Sequence, residues 1–353
     1  MLKSLPSTET TTPVEPECAG SCPRGTSRPR IALLSNPKST GNLAQLPRIR
    51  EYCADHPDVF HYEVEEASQI GEAMKVIARV RPKVLAINGG DGTVQAALTE
   101  LHNGGHFGDQ PPPVAVLPSG KTNLIAIDLG SGGDPIEALE KLIELARTDD
   151  LAPYTVDREL IALRRGVGGA DERPVIGMFL GGAGLADTML YCREKIYPLG
   201  LPNGLAHVIT AIAAIARLML RLKANFLPPD PQPLHVSMSE PGNRLSGRFS
   251  LLAVTTLENL LLSTELGARR KGALRLMALE ERPDYAFGFV AAALVGRLWR
   301  SPLKGVHLKE ANEITIEGDS SNFILDGETF RTEPGRPIHL RLAPPLSFVR
   351  LAA

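Results

Sequence analysis

The chain has 353 residues, 43% of them hydrophobic and 22% charged, with a formal net charge of −2. A single core seldom grows past about 250 residues, so this length asks for two domains, and the near-neutral balance gives no general pull toward nucleic acid. Four scattered cysteines (Cys18, Cys22, Cys53, Cys192) are too few for a disulfide scaffold and fit a reducing compartment.

Residues 1–29 are rich in Thr, Pro, Ser, Gly and Glu and lack periodicity, which reads as a disordered tail. Met1 to Thr12 has no apolar stretch of the kind a secretory signal needs. Cys18 and Cys22 read as free thiols, because no second Cys/His pair follows to complete a zinc site. Nowhere do roughly 20 apolar residues run together, so no membrane span is expected. A cytoplasmic protein, peripheral to a membrane at most, is the expectation.

From residue 30 to 150 short apolar runs alternate with helical patterns. Strands are expected at Ile31–Ser35, Val59–Val64, Val84–Ile87 and Val114–Leu117, and helices at Leu43–Ala54, Ile70–Val80 and Thr93–His102. This order implies a mainly parallel α/β sheet, which binds ligands beyond the carboxyl ends of its strands. Three unusual turns, Asn36–Gly41, Gly89–Thr93 and Pro118–Asn123, therefore point at one site. Residues 151–353 differ in kind. Expected strands at Val156–Leu163, Val175–Leu180, Leu234–Ser239, Phe249–Thr255, Leu274–Ala278, Glu313–Ile316, Phe323–Leu325 and Ile338–Leu342 suggest an antiparallel β-sandwich. Two apolar helical stretches, Leu205–Leu222 and Tyr285–Leu298, interrupt it.

Asn88-Gly-Gly-Asp-Gly-Thr93 carries the most information. Glycines after a strand let the backbone approach a ligand closely, and the following helix aims its first N–H groups at an anion, most simply a phosphate. Asp91 would repel a phosphate directly, so a carboxylate there makes sense with Mg²⁺ between them. A plain tight turn, with Asp91 in a local turn bond, is the competing reading. Ser119-Gly-Lys-Thr122 looks like the end of a P-loop but fails, because Ala115 stands where that pattern needs glycine.

Four segments occur in a telling order: Asn36-Pro-Lys-Ser-Thr-Gly41, Gly-Gly-Asp-Gly-Thr at 89–93, Pro118-Ser-Gly-Lys-Thr-Asn123, and Leu325-Asp-Gly-Glu328. Together they resemble the diacylglycerol kinase and sphingosine kinase type of lipid kinase in its bacterial form, over roughly Arg30 to Ala343. The resemblance implies an α/β nucleotide-binding domain with a parallel sheet at 30–150. A C-terminal antiparallel β-sandwich lipid-substrate domain would follow at 151–353, with the active site between them. It implies ATP phosphates on Gly89, Gly90, Asp91, Gly92 and Thr93, with Asn36, Thr40 and Gly41 holding the nucleotide and Gly120, Lys121 and Asn123 beside it. Asp91 would organise Mg²⁺, and Glu328 would be the general base toward the lipid hydroxyl. From its own sequence, Asp326-Gly327 is a strong hairpin-turn pair, which would present Glu328 rigidly. The glycine motif alone is also similar to NAD kinases, which leaves a NAD-kinase-like enzyme as an alternative.

The chain departs from that family's pattern in places. Lys121 replaces Thr, and Leu124 replaces an Asp of the metal-binding acidic network; Lys121 could instead pair with a phosphate or be a solvated lysine. Arg269-Arg-Lys-Gly272 stands where an auxiliary metal site is usual, and Lys271 cannot ligate a cation. A catalytically impaired homologue that binds nucleotide or lipid is therefore a second alternative. On the lipid side, Arg217 and Arg221 end one apolar helical stretch, while Arg297, Trp299, Arg300 and Lys304 follow the other. Nine Lys/Arg face five Asp/Glu between Glu265 and Glu310. Such segments suit an anionic membrane surface, although core helices share the composition. His207 reads as a packing residue.

Overall fold

A computed structural model describes residues 30–166, 173–201, 203–220, 227–239, 243–260, 264–265, 272–294 and 303–351. The tail 1–29 with Cys18 and Cys22, and Arg221, Arg269–Lys271, Arg297, Trp299 and Arg300, lie outside the described residues, as does the side chain of His207.

The first half is a parallel sheet sandwiched by helices. Its strands are β1 (Ile31–Ser35), β2 (Val59–Glu63), β3 (Val84–Gly89) and β4 (Val114–Pro118), in the spatial order β2-β1-β3-β4. Side chains alternate across a strand, and here both faces are apolar. Ala32, Leu34, Leu85, Ile87, Val114 and Val116 pack under α2 (Ile70–Val80) and α3 (Asp91–Asn103). Ile31, Leu33, Val84, Ala86, Ala115 and Leu117 pack under α1 (Asn42–Asp55) and α5 (Pro135–Thr148), with the short α4 (Leu124–Asp128) between β4 and α5. The α5 helix was not among the expected elements, although Asp134 caps it through its carboxylate and Pro135 opens it. The α3 helix begins at Asp91, two residues before the expected start, because Gly90 already takes the extended cap conformation.

The second half is a sandwich of two antiparallel sheets. Ile161, Leu163, Val236, Ile314, Ile316, Ile338 and Leu340 face Leu180, Phe249, Leu252, Val254, Leu276 and Phe323 across one dry core. The segment expected as one strand at Val175–Leu180 is two, β6 (Val175–Gly177) after β5 (Thr155–Arg165), then β7 (Phe179–Gly182). β6 pairs with β5 in one sheet and β7 lies in the other, so the chain changes sheets at Met178. The helices Gly184–Tyr191 (α6) and Asn203–Leu220 (α7) follow, and Pro283–Leu294 (α8) comes later.

The halves share a sheet. The strand Ile338–Val349 pairs along β5, and at Phe348 it lies parallel to Val114 of β4. Phe348 and Val349 are wholly buried in the cores on either side of the parallel sheet. A buried charge cluster reinforces this join: Arg158 of β5 meets Asp128 of α4 at 3.2 Å and also the carboxylate of Glu258. The crevice between the halves is therefore bounded by continuous, hydrogen-bonded structure.

Candidate active site

Three turns leave the carboxyl ends of β1, β3 and β4, and buried polar side chains stitch them together. Asn42 donates from Nδ2 to the carbonyls of Asn36 (2.7 Å) and Asn88 (3.0 Å). Asn88 donates to Ser35 Oγ at 2.9 Å and accepts from the hydroxyl of Ser119. Ser39 Oγ accepts from Gly90 N at 3.0 Å, and Ser119 O accepts from Gly41 N at 3.0 Å. Buried polar groups of this kind are costly unless paired, so the network locks the turns to one another. Ser35, Ser39, Asn42, Asn88 and Ser119 were not among the expected site residues. Their one signal is polarity at positions where the apolar strands stop.

Glycine is required where the turns touch. A Cβ on Gly41 would lie 2.8 Å from Ser119 O, and one on Gly120 would lie 2.7 Å from the Gly90 Cα. Asn36 donates to Thr93 Oγ1 at 2.9 Å, so two expected nucleotide contacts belong to one unit. Asn123 adopts the left-handed conformation (φ 53°) and accepts from Gly120 N through Oδ1 at 2.6 Å. Gly89, Gly90, Gly92 and Gly120 converge around the start of α3, where the first N–H groups of a helix can bind an anion. Thr40 is exposed beside them. Lys121 is exposed, with its ammonium 3.6 Å from the centroid of the Tyr197 ring.

The opposite wall comes from the sandwich. Asn322–Leu325 and Glu328–Arg331 form a hairpin closed by Asp326 (φ 43°) and Gly327 (φ 97°), the positive-φ pair that a two-residue turn demands. This turn rests on the glycine loop: a Cβ on Gly327 would lie 3.3 Å from Gly92 N. Arg193, just past α6, donates to the Gly327 carbonyl at 3.3 Å. Glu328 is exposed immediately after the turn.

Two carboxylates meet beneath it. Asp326 is buried and accepts from Met178 N (2.6 Å) and Phe179 N (3.0 Å). Burial nevertheless pushes its pKa up to about 8, with the nearby Asp91 charge adding to the shift. Asp91 is itself pushed up to about 6 by burial, against the pull of the backbone N–H groups of Ile125 and Leu124. The carboxylate of Asp91 thus serves the start of α4, where Leu124 has no side chain to offer. A neighbouring pair of carboxylates, Asp326 buried and Asp91 half-buried, each reluctant to ionise, fits a bound divalent cation. The donor set is lean, since no group of three or more His, Cys, Asp or Glu among the described residues is placed to hold a metal.

Residues 30–152 match the diacylglycerol kinase catalytic domain family. Two crystal structures of a proposed diacylglycerol kinase from Bacillus anthracis str. Sterne share the fold. They match with TM-scores of 0.62 and 0.61 at 16% and 17% identity, covering 91% of this chain and 97% of theirs. A third, of a diacylglycerol kinase from the same organism, gives a TM-score of 0.51 at 14% identity with the same coverage. No curated protein matches the chain. Fold and crevice define the class: an α/β domain with a mainly parallel sheet joined to an antiparallel β-sandwich. The catalytic-domain match covers the α/β half, residues 30–152, and the likeness to the solved structures extends the shared fold over the sandwich.

Both raised carboxylates bind protons more tightly in the folded state than in the unfolded one, so their contribution to stability is fully present at low pH and is lost as pH rises. The fall should run from about pH 4 to 6 through both groups and on to about 8 through Asp326, at up to ~1.4 kcal/mol per pH unit for each group. Urea unfolding at a series of pH values, with chelator present, measures it. Asp91→Asn should flatten the lower part of the curve and move the upper limit down. A curve identical to that of the unaltered chain would contradict the coupling.

Proposed function

We propose that the protein is an ATP- and Mg²⁺-dependent kinase that phosphorylates the hydroxyl of a diacylglycerol-like or long-chain-base lipid. The observation that supports this reading is the seating of the Asp326-Gly327 turn on Gly92, with the exposed Glu328 next in the chain. Phosphoryl transfer needs mainly positioning, charge neutralisation and one proton acceptor. The N–H groups at the start of α3, with Asn36, Gly41 and Thr93, would hold the triphosphate. Asp91 and Asp326 would hold the divalent cation, which when bound neutralises phosphate charge. Glu328 takes the proton of the lipid hydroxyl while that oxygen bonds to the terminal phosphorus, and the bond from phosphorus to ADP breaks.

The reading of an impaired homologue draws on Leu124, which is half-buried against the hydrophobic core and gives the crevice no third acid. A NAD-kinase-like activity has only the glycine loop in its favour, and NADP formation from NAD and ATP would reveal it. A positioned base contributes about 10²–10⁴ in rate. Glu328→Gln should therefore lower kcat for ³²P transfer from ATP to lipid by about that factor, with ATP affinity by calorimetry within about twofold of the parent. Undiminished transfer in Glu328→Gln would defeat the mechanism.

The lipid side is proposed to meet an anionic membrane surface through α7 and α8. Leu205, Val208, Ile212, Ile215 and Met219 line one exposed face of α7, and Phe287 of α8 is 66% exposed. Arg217 does not belong to that face: it is buried and paired with Asp230 (2.6 Å) and Glu281 (3.1 Å). No described helix is long and apolar enough to cross a membrane. Ile212→Asp/Phe287→Asp should reduce co-sedimentation with phosphatidylglycerol vesicles at low salt by at least about tenfold while leaving ATP affinity unchanged. Equal sedimentation of variant and parent would remove these helices from the membrane contact.

A further inference from the structure

A second concavity lies at the other end of the parallel sheet, where the chain leaves α2 for β3 and approaches β4. Its volume is about 840 Å³. Lys75 and Arg79, four residues apart, share one face of α2, Arg81 follows the helix, and His106 comes from the loop after α3. Pro82 and Phe107 supply an apolar surface between them, and no carboxylate lines the space.

The charges are unevenly compensated. Lys75 is tied to Glu72 at 3.2 Å and His106 to Glu100 at 2.6 Å. Arg79 and Arg81 are exposed, and their side chains have no hydrogen bond or ion pair among the described residues. A cation in the last turn of a helix complements its dipole, which accounts for Arg79 but not for Arg81 beyond the end. Concave surfaces of one charge sign focus potential and concentrate counter-ions. Two unpaired guanidinium forks match a phosphate bidentately, better than they match a lone point charge. The apolar patch beside them suits the organic part of a ligand, and the volume falls within the roughly 300–1,000 Å³ of small-molecule sites.

We propose that this concavity binds a small phosphate-bearing ligand. Arg79 and Arg81 hold the phosphate with help from Lys75, and the rest of the molecule lies on Phe107 and Pro82. The site is separate from the glycine crevice, but β3 and α3 each have one end at both places: β3 runs from Val84 beside this concavity to Gly89, and α3 from Asp91 back toward His106. The inference stands on side chains outside the proposed kinase machinery and does not depend on that reading.

The test is hydrogen exchange on the full chain with chelator present, comparing inorganic pyrophosphate with soluble dihexanoyl phosphatidic acid. Peptides covering residues 75–82 and 105–112 should be protected, with affinity falling at least about tenfold in Arg79→Ala/Arg81→Ala and also as salt rises. Unchanged exchange elsewhere shows that the double variant is folded. Protection by pyrophosphate assigns a free phosphate compound, whereas protection by the lipid alone assigns a phosphate headgroup; either upholds the site. Protection by neither probe, or protection that survives the double substitution, would overturn it.

Discussion

Two acidic side chains, one from each half of the molecule, are held close enough to interact. Asp91 stands at the end of a parallel strand and Asp326 in a hairpin of the sandwich; burial makes both hard to ionise, and the Asp91 charge adds to the difficulty for Asp326. Burying a lone carboxylate costs several kcal/mol, so the surrounding fold must be rigid enough to impose the meeting. It is: the halves share a sheet through Phe348 and Val114, and Arg158, Asp128 and Glu258 close over the join. These cross-links hold the two walls close, and the acid pair, each member held by backbone N–H groups, is the chemical content of the join.

Relative to the expected metal network, one change stands out. Leu124 turns its side chain toward the core, and the N–H groups of Leu124 and Ile125 are taken up by Asp91. The acid therefore does double duty, organising α4 while facing Asp326. Lys121, resting on Tyr197, ties the β4 turn to the segment that also carries Arg193 onto the Gly327 carbonyl.

Much of the α/β half was legible in the sequence, because fully apolar strands such as Ile31–Ser35 and amphipathic stretches such as Ile70–Val80 announce their periods. The helix at Pro135–Thr148 went unnoticed despite a capping Asp and an initiating Pro, since it follows a glycine-rich turn that ends the motif set. The Asp326-Gly327 turn was legible from its turn chemistry, whereas the burial of Asp326 was not. That burial depends on Met178 and Phe179, nearly 150 residues away in the chain, at the point where the strand switches sheets. The role of Arg217 was misread for a similar reason: a basic residue ending an apolar run looks interfacial until Asp230 and Glu281 appear beside it.

The central claim is that a nucleotide triphosphate lies against the glycine loop at the start of α3, beside the Asp326-Gly327 turn that rests on it. A crystal structure with a non-hydrolysable ATP analogue and Mg²⁺ tests it most directly. The account predicts the terminal phosphate over Gly92, with the metal touching the Asp91 side and the Glu328 carboxylate facing the open oxygen side. Phosphates bound outside the glycine crevice, or a Glu328 turned away from them, would contradict it.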